Sequence, residues 1–217
     1  MSRTRDIREA VQAELDFDPL VDPADISVRN IDGDVALNGT VHSYPQYLAA
    51  AAAARRIDGV KNVYNHLTVQ LPAADHRDDA PLAAAANNAL AWDTTVPDDI
   101  EAIARNGNLT LTGLVEYGSQ RLAAKRAVSS LVGVRNVRDE IEVSSDADPV
   151  DVTLLVDDAI ERNALFHDDS DVEVTVTGNT VTLDGHVRTW AEHDAAIGAT
   201  WMARGVCEVI DDITVTG

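Results

Sequence analysis

A chain of 217 residues with 45% apolar side chains can build packed cores, as one large domain or as two to three small ones. Its net charge of −20, from 37 acidic against 17 basic side chains, repels polyanions and makes nucleic acid and anionic lipid poor default partners. Aromatic residues amount to only 4%, so cores of short side chains are expected and large ligand cavities are not, while the single cysteine, Cys207, excludes an internal disulfide framework.

The acidic residues are mostly Asp, 27 of the 37, and lysine occurs only at Lys61 and Lys125, a composition suited to high salt. The N-terminal "MSRTRDIREAVQAEL" lacks the apolar core of a secretory signal. No run approaches the ~18 apolar residues of a membrane span. The expectation is a soluble chain with no transmembrane segment, cytoplasmic, or periplasmic if a signal peptide has been removed.

Read from the N-terminus, Ile7, Val11 and Leu15 mark an amphipathic helix, and Ile26 and Val28 a strand. Asp32-Gly33 then favours a hairpin turn into "DGDVALNGTV", whose Val35, Leu37 and Val41 alternate with period 2 and place Gly39 in the same inward register. "SYPQ" at 43–46 is a capping box with Ser43 as N-cap, opening a second helix with an inward stripe of Ala49, Ala50, Ala53 and Ile57. Gly59 is placed to end it in a left-handed turn, and a last strand follows through Val63, Leu67 and Val69.

The same series then recurs twice. "NGNLTLTGLV" (106–115) and "GNTVTLDGHV" (178–187) repeat the hairpin strand, with Gly113 and Gly185 at the position of Gly39. A second glycine follows each of the three by 20 residues, at Gly59, Gly133 and Gly205. The first helix recurs at Leu82, Ala86, Leu90 and at Val152, Val156, Ile160, and the capping box at "TWAE" (189–192). The middle copy reads "EYGS" there, so a looser helix start is expected. Tandem copies spaced by 74 and 72 residues imply three domains, at 1–72, 75–145 and 149–217, each helix, strand, strand, helix, strand. The glycines are expected to serve backbone geometry and close helix packing, since a phosphate loop would need several glycines running into a helix.

The "G-x-V-x-L-x-G-x-V" strand, the second helix and the closing "G-V-x-x-V-x-(D/N)-x-(I/L)-x-V" together resemble the BON domain family, over essentially the whole chain. The chain looks most like signal-free, three-BON proteins of the transport-associated type. The resemblance implies an α+β fold of three tandem αββαβ domains, each with two helices on a three-stranded mixed sheet. It also implies no catalytic residues and no cofactor, bacterial roles in osmotic or envelope stress, and in some relatives phospholipid binding or cation sensing. Neither of those two properties transfers to particular residues here, and net charge disfavours the lipid surface.

Candidate chemistry is thin. His42, His66, His76, His167, His186 and His193 show no zinc-site spacing. "HDDSD" (167–171) lacks the glycine and terminal glutamate of a calcium loop, which leaves a solvated loop as the better reading. Asn65, Asp139 and Asp211 share one inward position of the last strand, read as Asx side chains satisfying nearby backbone N–H groups. Cys207 stands where the other copies have Lys61 and Arg135, read as an exposed surface thiol. One asymmetry stands out: Trp190, Ile197 and Trp201 lie about 200° around the third copy's second helix from its alanine stripe. They are expected to contact another repeat of the chain, with self-association through domain 3 or a ligand as alternatives. Net charge falls from −3 over 1–74 through −6 over 75–148 to −11 over 149–217, so Arg55, Arg56 and Lys61 of the first copy can attract the acidic third. The sequence therefore points to a non-enzymatic binding or adaptor protein engaging protein partners or a weak ligand, with a phospholipid-surface binder and a cation-responsive sensor as alternatives.

Overall fold

In a computed structural model of the chain, the structure describes residues 2–144, 149–162 and 171–216. Three units of one topology follow one another. Domain 1 contains α1 (Ser2–Phe17), β1 (Ile26–Ile31), β2 (Asp34–Val41), α2 (Tyr44–Arg55) and β3 (Asn62–Val69). Domain 2 contains α3 (Asp79–Trp92), β4 (Glu101–Arg105), β5 (Asn108–Val115), α4 (Gly118–Ser129) and β6 (Asn136–Val143). Domain 3 contains α5 (Pro149–Glu161), β7 (Asp171–Thr177), β8 (Thr180–Val187), α6 (Trp190–Met202) and β9 (Glu208–Val215).

In each unit the first two strands form an antiparallel hairpin and the third joins the middle strand in parallel, giving the mixed sheets β1-β2-β3, β4-β5-β6 and β7-β8-β9. The hairpins turn where the sequence places Asp32-Gly33 and Asn106-Gly107, all four at positive φ as a two-residue primed turn requires. Inward positions from both helices and the sheet fill the cores, among them Val11, Leu15, Val35 and Leu37 in domain 1 and Leu82, Leu109 and Leu111 in domain 2.

Several local details differ from the sequence reading. Gly39, Gly113 and Gly185 have φ of +128°, +137° and +134°, and a Cβ on any of them would collide with the carbonyl of Asp25, Asp99 or Asp171. What these glycines admit is thus the chain entering the hairpin's first strand, and not the helix. Gly59 and Gly133 lie beyond the helix end: α2 stops at Arg55, and Val60 N–H donates to Ile57 O (3.2 Å), which puts Gly59 third in a separate turn. Val134 and Leu131 close the same turn around Gly133 at 3.3 Å.

The second helices bury Ala50, Ala124 and Ala196, and one turn later Ala54, Val128 and Thr200. This last position was not in the expected stripe; in the third copy it is Thr200, whose hydroxyl is satisfied by Ala196 O at 2.9 Å. The capping boxes form at Ser43 and Thr189, whose hydroxyls accept from Gln46 N–H (3.3 Å) and Glu192 N–H (3.2 Å). In the middle copy the returning half of the box persists, since Gln120 Oε1 accepts from both Glu116 and Tyr117 N–H at 3.1 Å. That helix start is held without a hydroxyl cap.

A clash with a fixed carbonyl and an open turn should respond differently to one added methyl. Gly113→Ala should cost about 3 kcal/mol or more, whereas Gly178→Ala, at φ +63° with nothing within 4 Å, should cost about 1 kcal/mol. Urea unfolding of the two variants beside the parent checks the difference.

Candidate functional site

Most of the distinctive side chains gather where one domain meets the next, and the first residue of each second helix leads them there. These residues are Tyr44, Gly118 and Trp190, one per copy.

At the junction of domains 1 and 2, Tyr44 is only 4% exposed and belongs to the core cluster of domain 2. It stacks on Tyr47 with ring centroids 5.6 Å apart, and Tyr47 packs on the cores of both domains. Burial raises the Tyr44 pKa above the ordinary phenol value and the neighbouring Tyr47 adds to this, against the opposing hydrogen bond of the Val137 backbone.

At the junction of domains 2 and 3, the indole of Trp201 fills the space that a side chain on Gly118 would need. The Arg121 guanidinium lies 5.6 Å from the centre of that ring, and Tyr117 pairs with Arg204 as an isolated antiparallel bridge. Cys207 is half-buried here, its thiol donating to Val143 O of domain 2 at 3.2 Å, and it packs on the domain 2 core. It is therefore not the exposed thiol expected from Lys61 and Arg135. Burial also pushes its pKa up, away from the reactive thiolate.

At the junction of domains 3 and 1, Trp190 Nε1 donates to Val60 O at 2.9 Å. Arg55 stacks 4.5 Å from the centre of the Trp190 ring and its Nη1 is 3.8 Å from Asp194 Oδ1. His193 meets Trp190 edge-on at 4.8 Å. Domain 1 touches domain 2, domain 2 touches domain 3, and domain 3 returns to domain 1, so the contacts form a closed cycle.

Of the residues singled out from sequence, Trp190 and Trp201 thus lie in two different junctions of the same chain. Ile197 is half-buried against the cluster of its own domain. Arg55 faces the acidic third copy, whereas Arg56 binds Glu14 and Asp18 within domain 1, both at 2.6 Å. The Asp18 carboxyl is held below its ordinary range, first by the Leu20 N–H and then by Arg56. Tyr44, Tyr47, Gly118 and Arg121 were not singled out. Aligning the copies at the start of the second helix is the signal that finds them.

The inward position shared by Asn65, Asp139 and Asp211 has one geometry and three chemistries. In each copy its Oδ1 accepts the N–H two residues on, from Leu67, Ile141 or Ile213, at 3.2, 3.2 and 3.3 Å. The rest of the side chain reaches the first turn of the second helix: Asn65 donates to Tyr47 O (2.7 Å), Asp139 accepts from Arg121 (2.6 Å), and Asp211 meets His193 Nε2 (2.8 Å). These side chains tie strand to helix. Among the described residues no group of three or more His, Cys, Asp and Glu is placed to hold a metal ion. His167 and most of the "HDDSD" segment lie outside the described residues.

Burial by itself would lower the His193 pKa, but hydrogen bonds and charge from Asp194 and Asp211 outweigh it and leave the pKa above 6.5. A raised folded-state pKa gives stabilisation that is complete below the unfolded value of about 6.5 and is lost as pH rises through the folded value. The melting temperature relative to a His193→Gln variant should therefore fall between pH 6 and pH 9, checked by calorimetry at fixed ionic strength. Trp190→Phe should cost about 1 kcal/mol in urea unfolding, because Val60 O then loses its donor.

The chain matches no curated protein. Two solved structures from Chlamydia trachomatis align with it, both of CdsD, described as a structural protein of the type III secretion system. One is 13% identical, with 96% of this chain and 91% of that chain covered at a TM-score of 0.26. The other, a C-terminal domain, is 12% identical with 98% of each covered at 0.27. Scores this low carry no argument about fold or role. The family model for the BON domain, by contrast, matches residues 3–70, 78–145 and 150–217. Matched in all three repeats, the chain belongs to the BON domain family.

Proposed function

We propose that this is a non-catalytic binding or adaptor protein whose open sheet faces engage protein partners, in the setting of osmotic or envelope stress. The observation that carries the reading is the position of Asn65, Asp139 and Asp211, where an amide, an acid–arginine pair and an acid–histidine pair do the same mechanical work. A reacting group would not tolerate that exchange; a tie between helix and strand does.

Among the described residues, helices cover each sheet on one face only, and the other face carries bulky apolar side chains. In domain 1 these are Ile31 and Tyr64, 72% and 50% exposed; in domain 2, Ile103 and Leu114; in domain 3, Ile210. Such residues supply contact area at little folding cost. No described helix is long and apolar enough to cross a membrane, and a net charge of −20 opposes docking to an anionic lipid surface. The stress setting is supported by family membership alone.

In a strain of the source organism lacking this protein, growth after an osmotic upshift should be impaired. The parent chain and Asp211→Asn should both restore it, while Tyr64→Asp combined with Ile103→Asp should not, with folding of each verified by circular dichroism. Restoration by the sheet-face variant together with failure of folded Asp211→Asn would reverse the reading in favour of chemistry at His193 and Asp211.

A further inference from the structure

Domains 1 and 2 share a cleft between the hairpin turn and the glycine turn after the second helix, and the cleft is furnished differently in the two. In domain 2 the linker from β3 runs through it. The Arg77 side chain lies over Gly133, where an added Cβ would come within 2.8 Å of Arg77 Cγ. His76 Nδ1 is 3.4 Å from Arg135 Nη2, and the Asp79 carboxylate receives the N–H groups of Asn106 and Gly107 at 2.9 and 3.1 Å. The remaining space is about 280 Å³.

In domain 1 the corresponding cleft, between Gly33 and Gly59, is a groove of about 600 Å³. Its wall includes Thr216, which follows β9 as Gln70 follows β3; Thr216 N–H donates to Val187 O as Gln70 N–H donates to Val41 O, at 2.9 and 2.8 Å. The end of domain 3 thus meets domain 1 as the end of domain 1 meets domain 2. The floor is apolar, from Ile7, Ala10 and Ile57. Its charged lining is Asp6, Asp32 and Asp58 against one cation, Lys61, the counterpart of Arg135; Asp32 and Asp58 stand where domain 2 has Asn106 and Val132.

We propose that this groove binds an extended peptide segment of a partner protein that presents an arginine, its stem laid on Ile7, whose side chain covers Gly59 where Arg77 covers Gly133. The backbone frame is the one that accepts residues 71–79 in domain 2. The two additional carboxylates select a cationic side chain over the apolar floor, where its alkyl stem packs while its guanidinium reaches the rim. The groove does not include Tyr64, Ile103 or Ile210, so the proposal stands or falls separately from a role for the open sheet faces.

The test is titration of the ¹⁵N-labelled full chain with a capped nine-residue peptide. It carries the sequence of residues 71–79 with its three aspartates replaced by asparagine, and a second peptide has alanine in place of the arginine. Saturable shifts are expected at the amides of Gly33, Gly59 and Lys61. Affinity should drop about fivefold in Asp32→Asn/Asp58→Asn and by a similar factor with the arginine-free peptide. Asparagine suits the turn at Asp32, since Asn106 holds the same left-handed conformation in domain 2. Ala10→Trp, which fills the groove, should abolish the shifts. The absence of saturable shifts at millimolar peptide, equal binding of both peptides, or shifts centred on Gly107 and Gly133 would each overturn the proposal.

Discussion

The arrangement of the chain depends on where the second helix of each domain begins. Its first residue lies against the neighbouring copy: Tyr44 in the core of domain 2, Gly118 under Trp201 of domain 3, and Trp190 on the Val60 carbonyl of domain 1. A helix start is well suited to this task. Its backbone is held by the capping box, so a side chain carried at the first position leaves the domain in a fixed direction. Small domains of this size bury a modest core, and placing an aromatic ring in a neighbour adds area that neither unit has alone.

Much of this was legible in the sequence and some was not. The three copies, their element order, the hairpin turns and the family follow from period-2 and helical patterns and from glycines repeating at fixed spacing, because those signals are local. The positions of Trp190 and Trp201 outside the alanine stripe likewise marked a second apolar surface on one helix. What that surface meets depends on the packing of residues more than a hundred positions apart, such as Trp190 and Val60, which no local period encodes. Cys207 shows the same limit: its alignment with Lys61 and Arg135 suggested exposure, yet the end of β6 covers it. Thr200 lies outside the expected stripe yet is fully buried, its hydroxyl donating to the Ala196 carbonyl one turn earlier.

The contrast between repeated geometry and changing chemistry separates structure from function within this chain. Where three copies keep a bond pattern while exchanging amide, arginine and histidine partners, the pattern serves the fold. Where one copy alone changes a surface, as domain 1 does with Asp32 and Asp58 beside its groove, the change has no counterpart in the shared scaffold. Net charge follows the same division, since Arg55 of the least acidic copy is used against Asp194 of the most acidic.

The three junctions are built from the same helix position yet no two are chemically alike. An indole over a glycine, an indole bonded to a carbonyl beneath a guanidinium, and a buried pair of phenols are not interchangeable, since a ring of Trp190's size at position 118 would overlap Trp201. Head-to-tail contacts between identical units close into a trimer when the rotation allows, and they admit any unit at any place. By making each seam unlike the others, this polypeptide gives every repeat a single address, so its modules cannot exchange places or be replaced by those of a second molecule without losing a fitted contact.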